Sequence, residues 1–227
     1  MTQTIVLATP HRRYDDLQRV LASRPGLKVM RIESWEALTV AALEQVAPRY
    51  VFFPHWPWRV PAEIFESFEC VVFHMTDVPF GRGGSPLQNL ISRGIYQTKL
   101  TALRCVSEMD AGPVYLKRPL ELTGTAEDIY RRAGAMMVGM IEEIVAGEIV
   151  PQPQEGEVLV FKRRQPQDGD ISGLDDLAKV FDFIRMLDAD GYPHAFIETE
   201  TLRLEFTGAE MADEAVHARV KIEKRRP

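Results

Sequence analysis

Four short apolar runs open this chain: Thr4-Ile5-Val6-Leu7-Ala8, Leu27-Lys28-Val29-Met30-Arg31-Ile32, Tyr50-Val51-Phe52-Phe53 and Cys70-Val71-Val72-Phe73. The last is apolar on both faces and built of β-branched and aromatic residues, the signature of a strand buried in a parallel sheet. Helical stretches separate the runs. Residues 14–23 form one. Ser34 can cap another that reaches residue 46, with Glu33 and Glu36 near its N-terminus. Further on, Pro86 opens a helix over 86–92, residues 97–106 and 114–122 read as strands, and Thr125 caps a long helix that Gly147 closes. Strands alternating with helices predict an α/β fold: a mainly parallel sheet with helices on both faces.

The Pro-rich stretch Pro151-Gln152-Pro153-Gln154-Glu155-Gly156 is a linker by composition. It divides the 227 residues into a domain over 1–150 and a small C-terminal α+β appendage over 151–227. The appendage holds strands at 158–162, 195–197 and 202–206 and a helix over 174–187. A net charge of −6 argues against a nucleic-acid partner. The basic end, Lys221 to Arg226, reads as a solvated tail. Cys70 and Cys105 lie in apolar runs and read as buried thiols, which suits a reducing cytoplasm. No apolar stretch is long enough to span a membrane, and no Cys/His spacing suggests a metal site. The turn after the first strand, Ala8-Thr9-Pro10-His11, lacks the glycines of a dinucleotide site. His11-Arg12-Arg13 beside it is either a solvated cluster or a phosphate contact.

Chemistry concentrates after the fourth strand. His74 leaves it at the carboxyl edge of the sheet, where open α/β folds bind ligands. Gly81, Gly83 and Gly84 follow, and glycine lets backbone approach a ligand closely. Asp110, in Glu108-Met109-Asp110-Ala111-Gly112-Pro113, is a second ionisable group at a strand end, and the carboxyl ends of the strands before the 56–59, 78–86 and 110–113 segments should lie side by side. A carboxylate beside an imidazole fixes its tautomer and stabilises its charged form. His55 ends the third run and opens His55-Trp56-Pro57-Trp58-Arg59-Val60-Pro61. Trp56 and Trp58 there are either pocket walls, a cover for the sheet edge or a contact in a homodimer.

The run His74, Thr76, Val78, Pro79, Arg82, Gly83, Pro86, followed by Asp110 and Gly112, resembles the formyltetrahydrofolate-dependent formyltransferases. Their hallmark is Asn-x-His-x-Ser-Leu-Leu-Pro-x-x-Arg-Gly-x-x-Pro with a later Asp-x-Gly. Weaker similarity covers residues 1–195, including Arg185-Met186-Leu187 and Gly191 to Phe196. The overall pattern looks closest to nucleotide-sugar N-formyltransferases of the pseudaminic acid type. The resemblance implies a Rossmann-like formyltransferase fold, 10-formyltetrahydrofolate as formyl donor, and the amine of a nucleotide-linked amino sugar as acceptor. It implies His74 and Asp110 as catalytic residues, with Trp56, Trp58, Arg59, Val78, Pro79, Arg82, Gly83 and Gly112 against the folate. The family's asparagine falls on Val72, which has no donor, and His55 is the expected substitute. Methionyl-tRNA formylation, hydrolysis of the formyl group and folate binding without catalysis are the rival readings.

Overall fold

The computed structural model describes residues 2–147 and 149–225. Two compact units emerge. The first is built on the chain up to Gly83 with Thr98–Leu120 and Arg131–Val160. The second is built on Gly84–Gln97, Glu121–Tyr130 and the chain from Phe161 onward.

The first unit is a six-stranded sheet. Its strands are β1 (Gln3–Ala8), β2 (Leu27–Ile32), β3 (Tyr50–Phe53), β4 (Cys70–His74), β6 (Gln97–Arg104) and β7 (Val114–Glu121), in the order β2-β1-β3-β4-β6-β7. β1 pairs in parallel with β2 and with β3, and β3 with β4. Alternation along β1 divides its side chains. Val6 and Ala8 join Leu43 of α2 (Val40–Val46), Ile64 of α3 (Ala62–Ser67) and Val51, Phe53 and Cys70 in one buried cluster. Ile5 and Leu7 are equally buried and lie on the opposite face. α1 (Asp15–Ala22) presents Leu17 and Leu21 inward, and Gly134 of α5 (Ala126–Gly147) lies against the ring of Tyr14. Thr125 and Asp128 close the start of α5 with reciprocal bonds, as a capping box does.

Three expectations need correction. The carboxyl ends of the site strands do not all lie side by side. β6 runs antiparallel to β4, with Val71 opposite Arg104 and His74 opposite Thr101. Hydrophobic pattern sets which face a strand buries but carries no direction. The Ser34-capped helix is also absent. α2 begins at Val40, with the Thr39 hydroxyl accepting the Ala42 N–H at 3.1 Å. Ser34 makes only a long turn contact to Ala37, 3.4 Å. Finally, the glycine segment is not irregular throughout: β5 (Phe80–Gly83) forms there and pairs with β8 (Leu159–Phe161), and Leu159 N–H donates to Pro79 O beside it.

The second unit packs α4 (Pro86–Ile91) and α6 (Leu177–Arg185) with an antiparallel sheet of β9 (Ala195–Glu198), β10 (Leu202–Ala212) and β11 (Ala215–Lys224). The Asp176 side chain caps α6 through Ala178 N–H. Buried Arg185 and Asp182 pair at 2.7 Å, and Arg185 also donates to Leu122 O. β11 takes in Lys221 to Lys224, so most of the basic end is a strand and not a tail. Strand pairing with Leu202 to Glu205 outweighs its charge. Arg226 lies outside the described residues.

Candidate active site

His74 is the last residue of β4 and is 7% exposed. Period-two alternation puts it on the same face as Val72 and Cys70. The chain then turns back on itself. Gly81 O accepts from His74 Nε2 at 2.7 Å and from the Thr76 hydroxyl at 3.2 Å. A carbonyl only accepts, so Nε2 carries the proton and Nδ1 presents its lone pair in the neutral ring. Asp110 Oδ2 lies 3.6 Å from Nδ1. That is too long for a hydrogen bond, and it becomes an ion pair only when the ring carries a second proton. The same oxygen accepts from Gly83 N–H at 2.9 Å. Gly83 adopts φ +98°, which L side chains rarely reach, so glycine here aims the amide at the carboxylate.

Each half of this arrangement is anchored. Asp77 bonds Lys117 at 2.5 Å and Lys99 at 2.9 Å, while Lys117 also reaches Val78 O. Burial pushes the Asp77 carboxyl up, but the hydrogen bonds from Lys117 and Lys99 outweigh it and hold the group below its ordinary value. Thr101 donates to Thr76 O at 2.7 Å from the antiparallel β6. On the other side, the turn from β6 to β7 folds over itself. A side chain at Gly112 would put its Cβ 1.8 Å from Arg104 O, so only glycine passes there. Cys105 starts this turn as a half-buried thiol. Burial and the Asp110 carboxylate push it up to about 11, so it stays protonated and inert.

The tryptophan loop is tied to the Asp110 turn, since Arg59 donates to Ser107 O at 3.1 Å. Trp56 and Trp58 meet edge to face with centroids 4.8 Å apart. Trp56 packs on Phe53, and Trp58 is 43% exposed. Met109 is exposed on the Asp110 turn. The Trp56 indole N–H is buried without a hydrogen-bond partner among the described residues. Flat apolar surface of this kind suits a planar heteroaromatic ring. The structure thus unites His74, Asp110, Gly83 and Arg82 in one network, which the Gly112 turn and Gln154 complete. Trp56 pairs with Trp58, and Arg59 joins the loops. Val78 and Pro79 take part through their carbonyls. His55 goes elsewhere. Its ring lies 4.6 Å from that of His11 and 6.4 Å from that of Tyr14. Val72 is half-buried between Phe53 and Leu103 in register. Two groups escaped the sequence reading. Lys117 gives no signal in a strand. Gln154 sits in a segment that composition alone marks as linker.

A histidine with one nitrogen fixed and the other beside a carboxylate, at the end of an open α/β sheet, is an arrangement that can take up and release a proton. Residues 166–223 match the family described as methionyl-tRNA formyltransferase, C-terminal domain. A solved structure described as methionyl-tRNA formyltransferase from Clostridium thermocellum is 44% identical. It covers 98% of this chain and 100% of its own, with a TM-score of 0.96. A methionyl-tRNA formyltransferase from Lactobacillus delbrueckii subsp. bulgaricus is 31% identical over 68% of this chain and 51% of its own. The structure of a 4-N formyltransferase from Francisella tularensis shares the fold at 15% identity. There the TM-score is 0.66, and the match covers 87% of this chain and 93% of the other. The chain belongs to the formyltransferase family. It spans about half the length of the curated relatives it matches.

Proposed function

We propose that this chain is an N-formyltransferase that moves a formyl group from 10-formyltetrahydrofolate to a primary amine, and that the amine is the aminoacyl group of methionyl-tRNA. The observation that carries the chemistry is the His74 ring, with Nε2 tied to Gly81 O and Nδ1 beside Asp110. The relatives' names support the acceptor, as does the C-terminal match at residues 166–223.

The bound donor supplies a formyl carbon open to attack. The residues of this chain do the rest. Trp56, Trp58 and the glycine backbone at 81–83 hold the pteridine side. His74 Nδ1 takes the proton that the attacking nitrogen loses, and the imidazolium so formed is stabilised by Asp110. His74 then returns that proton to the departing folate nitrogen, so the site ends as it began. Gly81 O fixes the tautomer, which leaves Asp110 the task of stabilising charge. Val72 offers the formyl oxygen nothing, and the Thr76 hydroxyl is engaged by Gly81 O.

A nucleotide-linked amino sugar is the second reading. The net charge of −6 favours a small acceptor over a polyanion. The test is incubation with 10-formyltetrahydrofolate and, in parallel, methionyl-tRNA or UDP- and dTDP-linked 4-amino sugars, read as mass gain of a formyl group. Formyl-methionyl-tRNA is expected. Formylation of a sugar alone would transfer the assignment to the second reading. Formate released equally without any acceptor would overturn both.

A further inference from the structure

The segment after α5 does more than connect. Gln152 exchanges backbone hydrogen bonds with Val114 at 2.7 and 2.9 Å. Two residues on, the Gln154 amide donates to Asp110 O at 2.7 Å and to Gly112 O at 2.8 Å. Its oxygen accepts from Arg82 Nε at 3.0 Å. Arg82 in turn holds Glu108 at 3.2 Å, on the same turn as Asp110. All hydrogen-bonding capacity of one primary amide except one lone pair is thus spent on the Asp110 turn and on Arg82 of β5. Asp110 itself sits at φ +54°, a left-handed conformation that few residues other than glycine adopt, although aspartate does so more readily than most.

We propose that Gln154 is a positioning residue for the formyl-transfer reaction: it clamps the Asp110 turn by both carbonyls, with Arg82 fixing which end of the amide faces the turn, and so sets the carboxylate against His74. The inference rests on the proposed role of Asp110 as the group that stabilises the His74 imidazolium. Only an amide satisfies this geometry. Gln154→Glu keeps the size, but an ionised carboxylate only accepts, so its oxygens would oppose the two carbonyl oxygens. Arg82 would pair with the new charge and pull it from the turn.

The expected result for Gln154→Glu and for Gln154→Ala is a fall in kcat of about 100-fold, the usual effect of misplacing a catalytic group by about 1 Å, with KM for the formyl donor unchanged. Gln154→Glu should recover part of the loss as pH falls, because a protonated carboxyl regains one donor. Gln154→Ala should show no recovery. In the Asp110→Ala background neither substitution should cost anything more. An equal loss in both backgrounds would overturn the proposal, as would a change confined to KM. A second readout needs no turnover. The Gly83 amide, bonded to Asp110 Oδ2, should exchange with solvent faster in Gln154→Ala. Unchanged Gly83 exchange would sink the clamp whatever the activity. Faster exchange in a protein that transfers no formyl group would uphold the clamp and reject the function.

Discussion

β3 and β4 are neighbouring parallel strands in which Phe53 stands opposite Val72, and each delivers a histidine to the same edge of the sheet. Their fates differ. His74 remains in its strand and meets a carbonyl on one nitrogen and a carboxylate near the other. His55 turns at φ +54° and packs among the rings of His11 and Tyr14. Position at the edge of an α/β sheet alone therefore does not fix a histidine's surroundings. What returns to that edge also matters. At the β4 end the turn after β6 folds Asp110 back to within 3.6 Å of His74 Nδ1.

Removing either member of the pair at the β4 end should have the largest effect. His74→Ala and Asp110→Ala should each lower kcat by about 1000-fold, within the range of general acid–base catalysis. The double variant should lose little more, since groups that act as a unit are not additive. Steady-state kinetics checks both. His55→Ala should fall well short of the roughly 100-fold loss that deleting an oxyanion donor causes. A loss that large would erase the contrast between the two histidines. Val72→Asn sharpens it from the other side. A donor restored beside His74 should raise kcat, and more so in wild type than in His74→Ala.

Smaller effects concern the supports. Gly112→Ala forces the turn off Arg104 O and should cost about 3 kcal/mol in denaturant unfolding, at the upper end for single substitutions. Asp77 gives the smallest effect. Its folded carboxyl lies below the ordinary 3.8 because Lys117 and Lys99 outweigh burial. The stability it contributes is thus present above 3.8 and lost as pH falls through the lower folded value. Lys117→Met should flatten that acid limb of the stability profile by no more than about 1 kcal/mol, as the group is partly exposed.

The buried strands of the first unit were legible because Tyr50-Val51-Phe52-Phe53 and Cys70-Val71-Val72-Phe73 have no polar face to confuse the pattern. The direction of β6 was not, since a strand reads alike both ways. β5 was hidden because its partner, Leu159, arrives from much later in the chain. Thr39 and Ser34 both have capping side chains, and only tertiary packing of Leu43 selected the first. His74, Asp110, Arg82 and Gly83 stood out through their spacing. Gln154 did not, because a clamp of side-chain amide on carbonyls demands one residue at one place and leaves no periodicity. The ring contacts of His55 with His11 and Tyr14 were not legible, since sequence shows that a histidine ends a strand but not where its ring turns.

The most direct test is the single-turnover rate of formyl transfer from 10-formyltetrahydrofolate to methionyl-tRNA, in wild type and in Asp110→Asn, with donor binding measured in parallel. Asparagine keeps the shape and removes the charge beside His74 Nδ1. The account predicts a chemical step slowed by at least about 100-fold with donor affinity preserved. A chemical step of unchanged rate, or a loss explained wholly by weaker donor binding, would contradict it.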